Sequence, residues 1–150
     1  MDTFEILSQL CSAAGVSGAE GSAAETAAKL LEEYGEVTLD NALGSVICKV
    51  GSWEDGKPVV LLDAHIDEIG MIVTYITEDG FLKISGCGGL DTRLLLAQQV
   101  TVYGKEKLTG IVTSTPPHLE KDNSVVPDLD SVFIDIGFTS RENAAKYVSL

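Results

Sequence analysis

Residues 59–64, Val59-Val60-Leu61-Leu62-Asp63-Ala64, form an apolar run that bears no charge before Asp63. Pro58 opens it, and both faces of the run are apolar, as in a central strand covered on both sides. Helical patterns precede it, which points to an α/β layer. The run delivers His65 and Asp67, two residues apart, with Glu68 beside them. In open α/β sheets, ligands bind beyond the carboxyl ends of the strands, and this pair falls there. Two readings are open at this stage: a strand ending in a metal-binding pair, and a strand followed by a solvated acidic turn.

The chain before this run reads as two helices and a pair of short strands. Phe4, Leu7, Leu10, Cys11 and Ala14 recur at helical spacing, with Asp2 and Glu5 placed as a capping box and Gly15 as the stop. Gly15-Val16-Ser17-Gly18-Ala19 is a tight glycine-rich turn. A second helix spans about Glu20 to Tyr34 with Ala24, Ala27, Ala28, Leu31 and Tyr34 on one face; its first turn is acidic, and Gly35 is placed as a left-handed cap. Ser22 and Glu25 sit on its solvated side. Residues 36–39 and 45–50 then read as strands around the turn 40–44, and Trp53 in the polar loop that follows reads as a cover residue.

After residue 68 the pattern changes to that of a compact, barrel-like β domain. Strands are predicted at 69–77, 81–84, 99–103, 107–114 and 131–136, with Glu78-Asp79-Gly80 as a hairpin turn. A short helical turn is expected over 91–96 and a last helix over 142–148, opened by Ser140-Arg141-Glu142-Asn143. Gly86-Cys87-Gly88-Gly89 lacks the lysine and the strand–loop–helix setting of a phosphate loop and reads as tight backbone geometry.

Charge separates the same two parts. The chain holds 23 acids against 10 bases, a net of −13. Residues 1–68 carry three bases and thirteen acids, and residues 69–150 seven bases and ten acids. A basic nucleic-acid footprint is missing, and an anionic membrane surface is disfavoured. Cys11, Cys48 and Cys87 form no CxxC pair and read as reduced, buried thiols of a cytoplasmic protein. No signal-peptide pattern or membrane-length apolar run is visible.

A hydrolytic metal ion needs imidazole or carboxylate ligands and an open position for water. A carboxylate that holds one ring N–H of a histidine makes the other nitrogen a better ligand. The spacing of His65 and Asp67 suits that division of labour, but it is only part of a site. The other histidine, His118, follows two prolines and reads as a packed loop residue rather than a ligand.

Several motifs carry a family likeness. Ala64-His65-Ile66-Asp67-Glu68-Ile69-Gly70 resembles the AHxDEIG motif of the tetrahedral (TET) aminopeptidases, the glutamyl-aminopeptidase-like dinuclear metallopeptidases, some of which carry the name endoglucanase or cellulase. The likeness extends to Gly15-Val16-Ser17-Gly18, Asp79-Gly80-Phe81-Leu82, Gly88-Gly89-Leu90-Asp91-Thr92-Arg93, the Pro116-Pro117-His118 loop, and Asp135-Ile136-Gly137 before Ser140-Arg141-Glu142. Ser45 departs from it, standing where the family usually has asparagine.

The resemblance implies an α/β fold: the start of an α/β/α metallopeptidase domain over residues 1–68, then an inserted β-barrel or PDZ-like oligomerisation domain over 69–150. It implies a metal ligand at His65 and, at Asp67, the catalytic carboxylate that orients it. It also implies two divalent ions, zinc or cobalt, with the remaining ligands later in the chain of a longer enzyme. Peptide substrates and a homo-oligomer of dimers, up to a dodecamer, come with it, and these 150 residues alone are expected to be inactive. Without neighbouring strands the first layer is expected to expose apolar surface. Two other readings compete: a short non-catalytic chain that oligomerises or binds partners, and a glycan hydrolase, for which no carboxylate pair stands out.

Overall fold

A computed structural model describes residues 2–40, 42–116 and 126–150, which fall into two compact units, Met1–Glu68 and Ile69–Leu150. The fold is mixed α/β.

The first unit begins with α1 (Thr3–Ser12). Asp2 accepts from the Glu5 amide at 2.8 Å, and Glu5 accepts from the Asp2 amide at 3.2 Å, so the capping box forms. The apolar positions of α1 stay uncovered: it buries no residue, Phe4 is 78% exposed, and Cys11 is exposed rather than buried. The second helix, α2 (Gly21–Leu31), is shorter than its pattern, buries Ala23, Ala24 and Ala28, and packs on the antiparallel pair β1 (Glu36–Leu39) and β2 (Val46–Lys49). Its N-cap, Glu20, makes no side-chain capping bond, and no acid lies in the first turn.

Gly35 is required for a reason other than a left-handed cap. Its φ is not positive, but a Cβ there would lie 2.1 Å from the Lys49 carbonyl oxygen. Close approach of the two backbones excludes any side chain. Trp53 does not cover the core; it is 59% exposed, with the Lys49 ammonium 5.6 Å from its ring centroid.

Residues 59–64 depart from the central strand expected of them. They form no strand, and Val59, Val60, Leu61 and Leu62 are 63, 83, 83 and 90% exposed. A strand is defined by its ladder, and no described segment pairs with this one. The composition of a doubly covered strand is present without its neighbours, and the apolar surface is open as expected for an isolated layer.

The second unit is an antiparallel sheet of five strands in the order β3-β4-β7-β6-β5: β3 (Gly70–Ile76), β4 (Leu82–Cys87), β5 (Gln99–Tyr103), β6 (Lys107–Ser114) and β7 (Val132–Asp135). Among the described residues, β3 and β5 pair on one side only. Alternation along the strands sends Ile76, Leu82, Ile84, Val102, Val112, Val132 and Ile134 into one core, closed by Ala144 and Val148. Gly80 takes φ +89° in the β3–β4 hairpin, and a Cβ there would meet the Phe138 carbonyl at 2.7 Å.

The final helix is a single turn, α3 (Arg141–Ala144), capped by Ser140. Arg141 fastens it to the hairpin. Its Nε donates to the Ile76 carbonyl at 2.8 Å, Nη1 lies 3.0 Å from Glu78 Oε1, and Nη2 donates to the Tyr75 hydroxyl, with the guanidinium over the Tyr75 ring. Among the described residues no helix is long and apolar enough to cross a membrane.

The Gly88–Arg93 motif resolves into a capped 3-10 turn at Thr92–Leu94. Asp91 Oδ1 accepts from the Arg93 amide at 3.1 Å, and its carboxylate takes Arg93 Nε at 2.8 Å and Nη2 at 2.6 Å. The Arg93 guanidinium, and then its amide, hold the Asp91 carboxyl below its ordinary 3.8. A group lowered in this way contributes stability above its unfolded value and loses it as pH falls through the folded value. A carbon-detected NMR titration is expected to place the Asp91 midpoint below 3.8. A midpoint at or above that value would show that the ion pair does not form in solution.

Candidate functional site

The site lies where the first unit ends, and local sequence alone does not build it. The turn after α1 runs beside residues 66–68, with Val16 and Glu68 in a parallel bridge. The Glu68 amide donates to the Gly15 carbonyl at 2.8 Å, and the Gly15 amide donates to Glu68 Oε1 at 3.1 Å. Ser17 then reaches Asp67, and its hydroxyl donates to Oδ2 across 50 residues of chain.

Asp67 is therefore held at both oxygens. Oδ1 lies 3.0 Å from His65 Nδ1, and the Asp67 carbonyl oxygen lies 3.1 Å from the same nitrogen. The Ser17 hydroxyl, followed by His65, holds the Asp67 carboxyl below its ordinary value. An ionised carboxylate and a carbonyl only accept hydrogen bonds, so Nδ1 must carry the proton. In the neutral ring the lone pair is then on Nε2, and the imidazole side chain is 86% exposed. This is the tautomer in which a histidine binds a divalent cation through Nε2.

His65 thus fits as one ligand. Among the described residues no group of three or more His, Cys, Asp or Glu side chains could hold a metal ion. The structure brings together the two residues singled out in the sequence, His65 and Asp67, and adds contacts that spacing did not reveal, from Ser17 to Asp67 and from Gly15 to Glu68. The Gly15–Gly18 motif was the available signal, but a turn motif does not say which distant carboxylate it meets. His118 lies outside the described residues. A shallow concavity in the second unit, lined by Asp79, Phe81, Asp135, Gly137, Phe138 and Thr139, has two carboxylates and one hydroxyl but no imidazole or thiol.

With this geometry in hand, comparison with known proteins decides the family. Residues 44–150 match the model of the M42 glutamyl aminopeptidases. The chain belongs to the M42 peptidase family. FrvX of Escherichia coli (strain K12) is 37% identical over 148 residues, which is 95% of this chain and 40% of FrvX. A TET aminopeptidase from the marine sediment archaeon Thaumarchaeota archaeon SCGC AB-539-E09 superposes with a TM-score of 0.87 at 34% identity, covering 98% of this chain and 42% of that one. The Pyrococcus horikoshii TET1 peptidase, which can assemble into a tetrahedron or a large octahedral shell, gives a TM-score of 0.85 at 33% identity, over 99% of this chain and 44% of its own. The M42 chain described here thus spans about two-fifths of the length of these relatives.

Proposed function

We propose that the protein carrying this M42 chain is a cytoplasmic, dinuclear-metal aminopeptidase, using zinc or cobalt to remove N-terminal residues from peptides. Residues 1–68 are the opening of its catalytic domain, and residues 69–150 are the inserted β-barrel or PDZ-like domain through which copies associate. The observation that carries this reading is the His65 ring, held by Asp67 in the tautomer that leaves Nε2 free. Family membership and the aminopeptidases among the relatives support the reaction class, and the assembling TET1 relative supports a homo-oligomer.

Bound divalent metals supply Lewis acidity toward the peptide carbonyl and lower the pKa of a bound water. In this chain His65 would hold one of them through Nε2. Asp67 keeps the ring oriented and its Nδ1 protonated, which makes Nε2 the stronger donor. By the family resemblance the remaining ligands come later in a longer enzyme, so residues 1–150 alone are expected not to turn over substrate.

The test is hydrolysis of amino-acid p-nitroanilides with added cobalt, by the full-length gene product and by the purified 150-residue chain. Turnover is expected from the first and not from the second. A silent full-length protein that nonetheless self-associates would favour a non-catalytic oligomer. Turnover by the short chain would mean that the ligand set is complete within it.

A further inference from the structure

We infer that Ser17 is a positioning residue for His65: by donating to Asp67 Oδ2 it fixes the carboxylate with Oδ1 on His65 Nδ1. This rests on the reading of His65 as a metal ligand, and it gives the turn residue Ser17 a role at the site.

The orientation of Asp67 is a matter of degrees of freedom. An aspartate carboxylate turns about its last side-chain bond with broad, weak preferences. The Asp67 side chain is 40% exposed, so water competes for both oxygens. One hydrogen bond to a histidine leaves the carboxylate plane free to tilt about that contact. A second donor on the opposite oxygen fixes the plane, because both bonds are met together in one plane only, the two oxygens being interchangeable. Ser17 is that donor, and it makes the imidazole axis a three-residue chain, Ser17–Asp67–His65, rather than a pair.

The hydroxyl is also separable from the docking of its own segment. Gly15 and Glu68 are joined by two hydrogen bonds that do not involve Ser17, at 2.8 and 3.1 Å. The turn itself is closed by the Ala19 amide on the Val16 carbonyl at 2.7 Å and by the Gly18 amide on Glu20 Oε1 at 2.6 Å. Ser17→Ala therefore removes the donor and leaves the strap in place. If Ser17 were only a turn residue, its loss would register in stability and not at the metal.

The experiment uses the full-length protein stripped of metal and titrated with Co²⁺, read by visible absorption, alongside steady-state kinetics. Ser17→Ala should weaken Co²⁺ binding about tenfold, the low end for groups that hold a metal-ligating histidine. Its kcat should fall by a similar factor with KM unchanged. Ser17→Thr, which keeps a hydroxyl, should recover both to within about threefold. Wild-type Co²⁺ affinity in Ser17→Ala, in a protein where His65→Ala has lost it, overturns the role of Ser17 and leaves the metal reading standing. Full Co²⁺ affinity in His65→Ala overturns both. A drop in apo-protein melting temperature in Ser17→Ala that Ser17→Thr does not repair, with affinity unchanged, identifies a structural residue and also overturns the proposal.

Discussion

Replacing His65 by alanine in the full-length protein is expected to cut kcat/KM by more than about 100-fold. Losing a partner that merely holds a metal-ligating histidine already costs about 10–100-fold, and loss of the ligand itself should exceed that. Metal content should fall in parallel, measured by elemental analysis after gel filtration. Asp67→Asn tests the same axis one step out. The amide keeps an oxygen acceptor for Nδ1 but loses the charge, and Ser17 no longer meets a carboxylate. Its cost should lie within the same 10–100-fold range, with metal retained at saturating concentration. His65→Ala with full metal content and full turnover would remove the ring from the site altogether.

The second large effect is on stability. Leu82 is fully buried, pairs with Ile134 across the β4–β7 ladder and with Ile76 across β3–β4, and sits at the centre of the second unit's core. Leu82→Ala removes the apolar contacts and leaves a cavity, which together cost about 2–5 kcal/mol in a well-packed interior. Denaturant unfolding read on β4 and β7 amides by hydrogen exchange would measure it. Thr101, exposed on β5, supplies the contrast, and Thr101→Val should stay within about 0.5 kcal/mol. A Leu82→Ala cost comparable to that of Thr101→Val would show that the sheet is not organised around this cluster.

Most strands of the second unit were legible because one face is more buried than the other, and period-two alternation records that directly, whereas β3 alternates only loosely around a register shift at Val73–Tyr75. Residues 99–103 and 107–114 coincide with β5 and β6 to the residue. Helix ends were less legible. The second helix stops at Leu31 although its pattern runs to Tyr34, and the chain then brings Gly35 against the Lys49 backbone. Residues 59–64 show the limit most clearly. Their composition is that of a strand covered on both faces, but such cover is a property of partners as much as of the segment, and no described residues pair with this one.

The candidate site divides in the same manner. His65 and Asp67 were legible because they lie two residues apart and because the surrounding motif resembles a family. Ser17 was not, since its bond to Asp67 closes 50 residues of chain and depends on α2 and the β1–β2 hairpin folding between them. Spacing carries local chemistry, whereas an orienting contact of this range is a product of tertiary structure.

The open run at Val59–Leu62 has a consequence for solubility. Four consecutive apolar residues, uncharged and rich in β-branching, are the kind of window that seeds intermolecular strand pairing when exposed. Lys57 and Pro58 stand immediately before it and Asp63 immediately after. Charge and proline at the two ends of an unavoidable hydrophobic strand act as gatekeepers: they penalise stacking of identical copies while leaving the strand free to enter a heterogeneous sheet. The acid that follows the run is therefore expected to disfavour fibril-like association of this exposed segment.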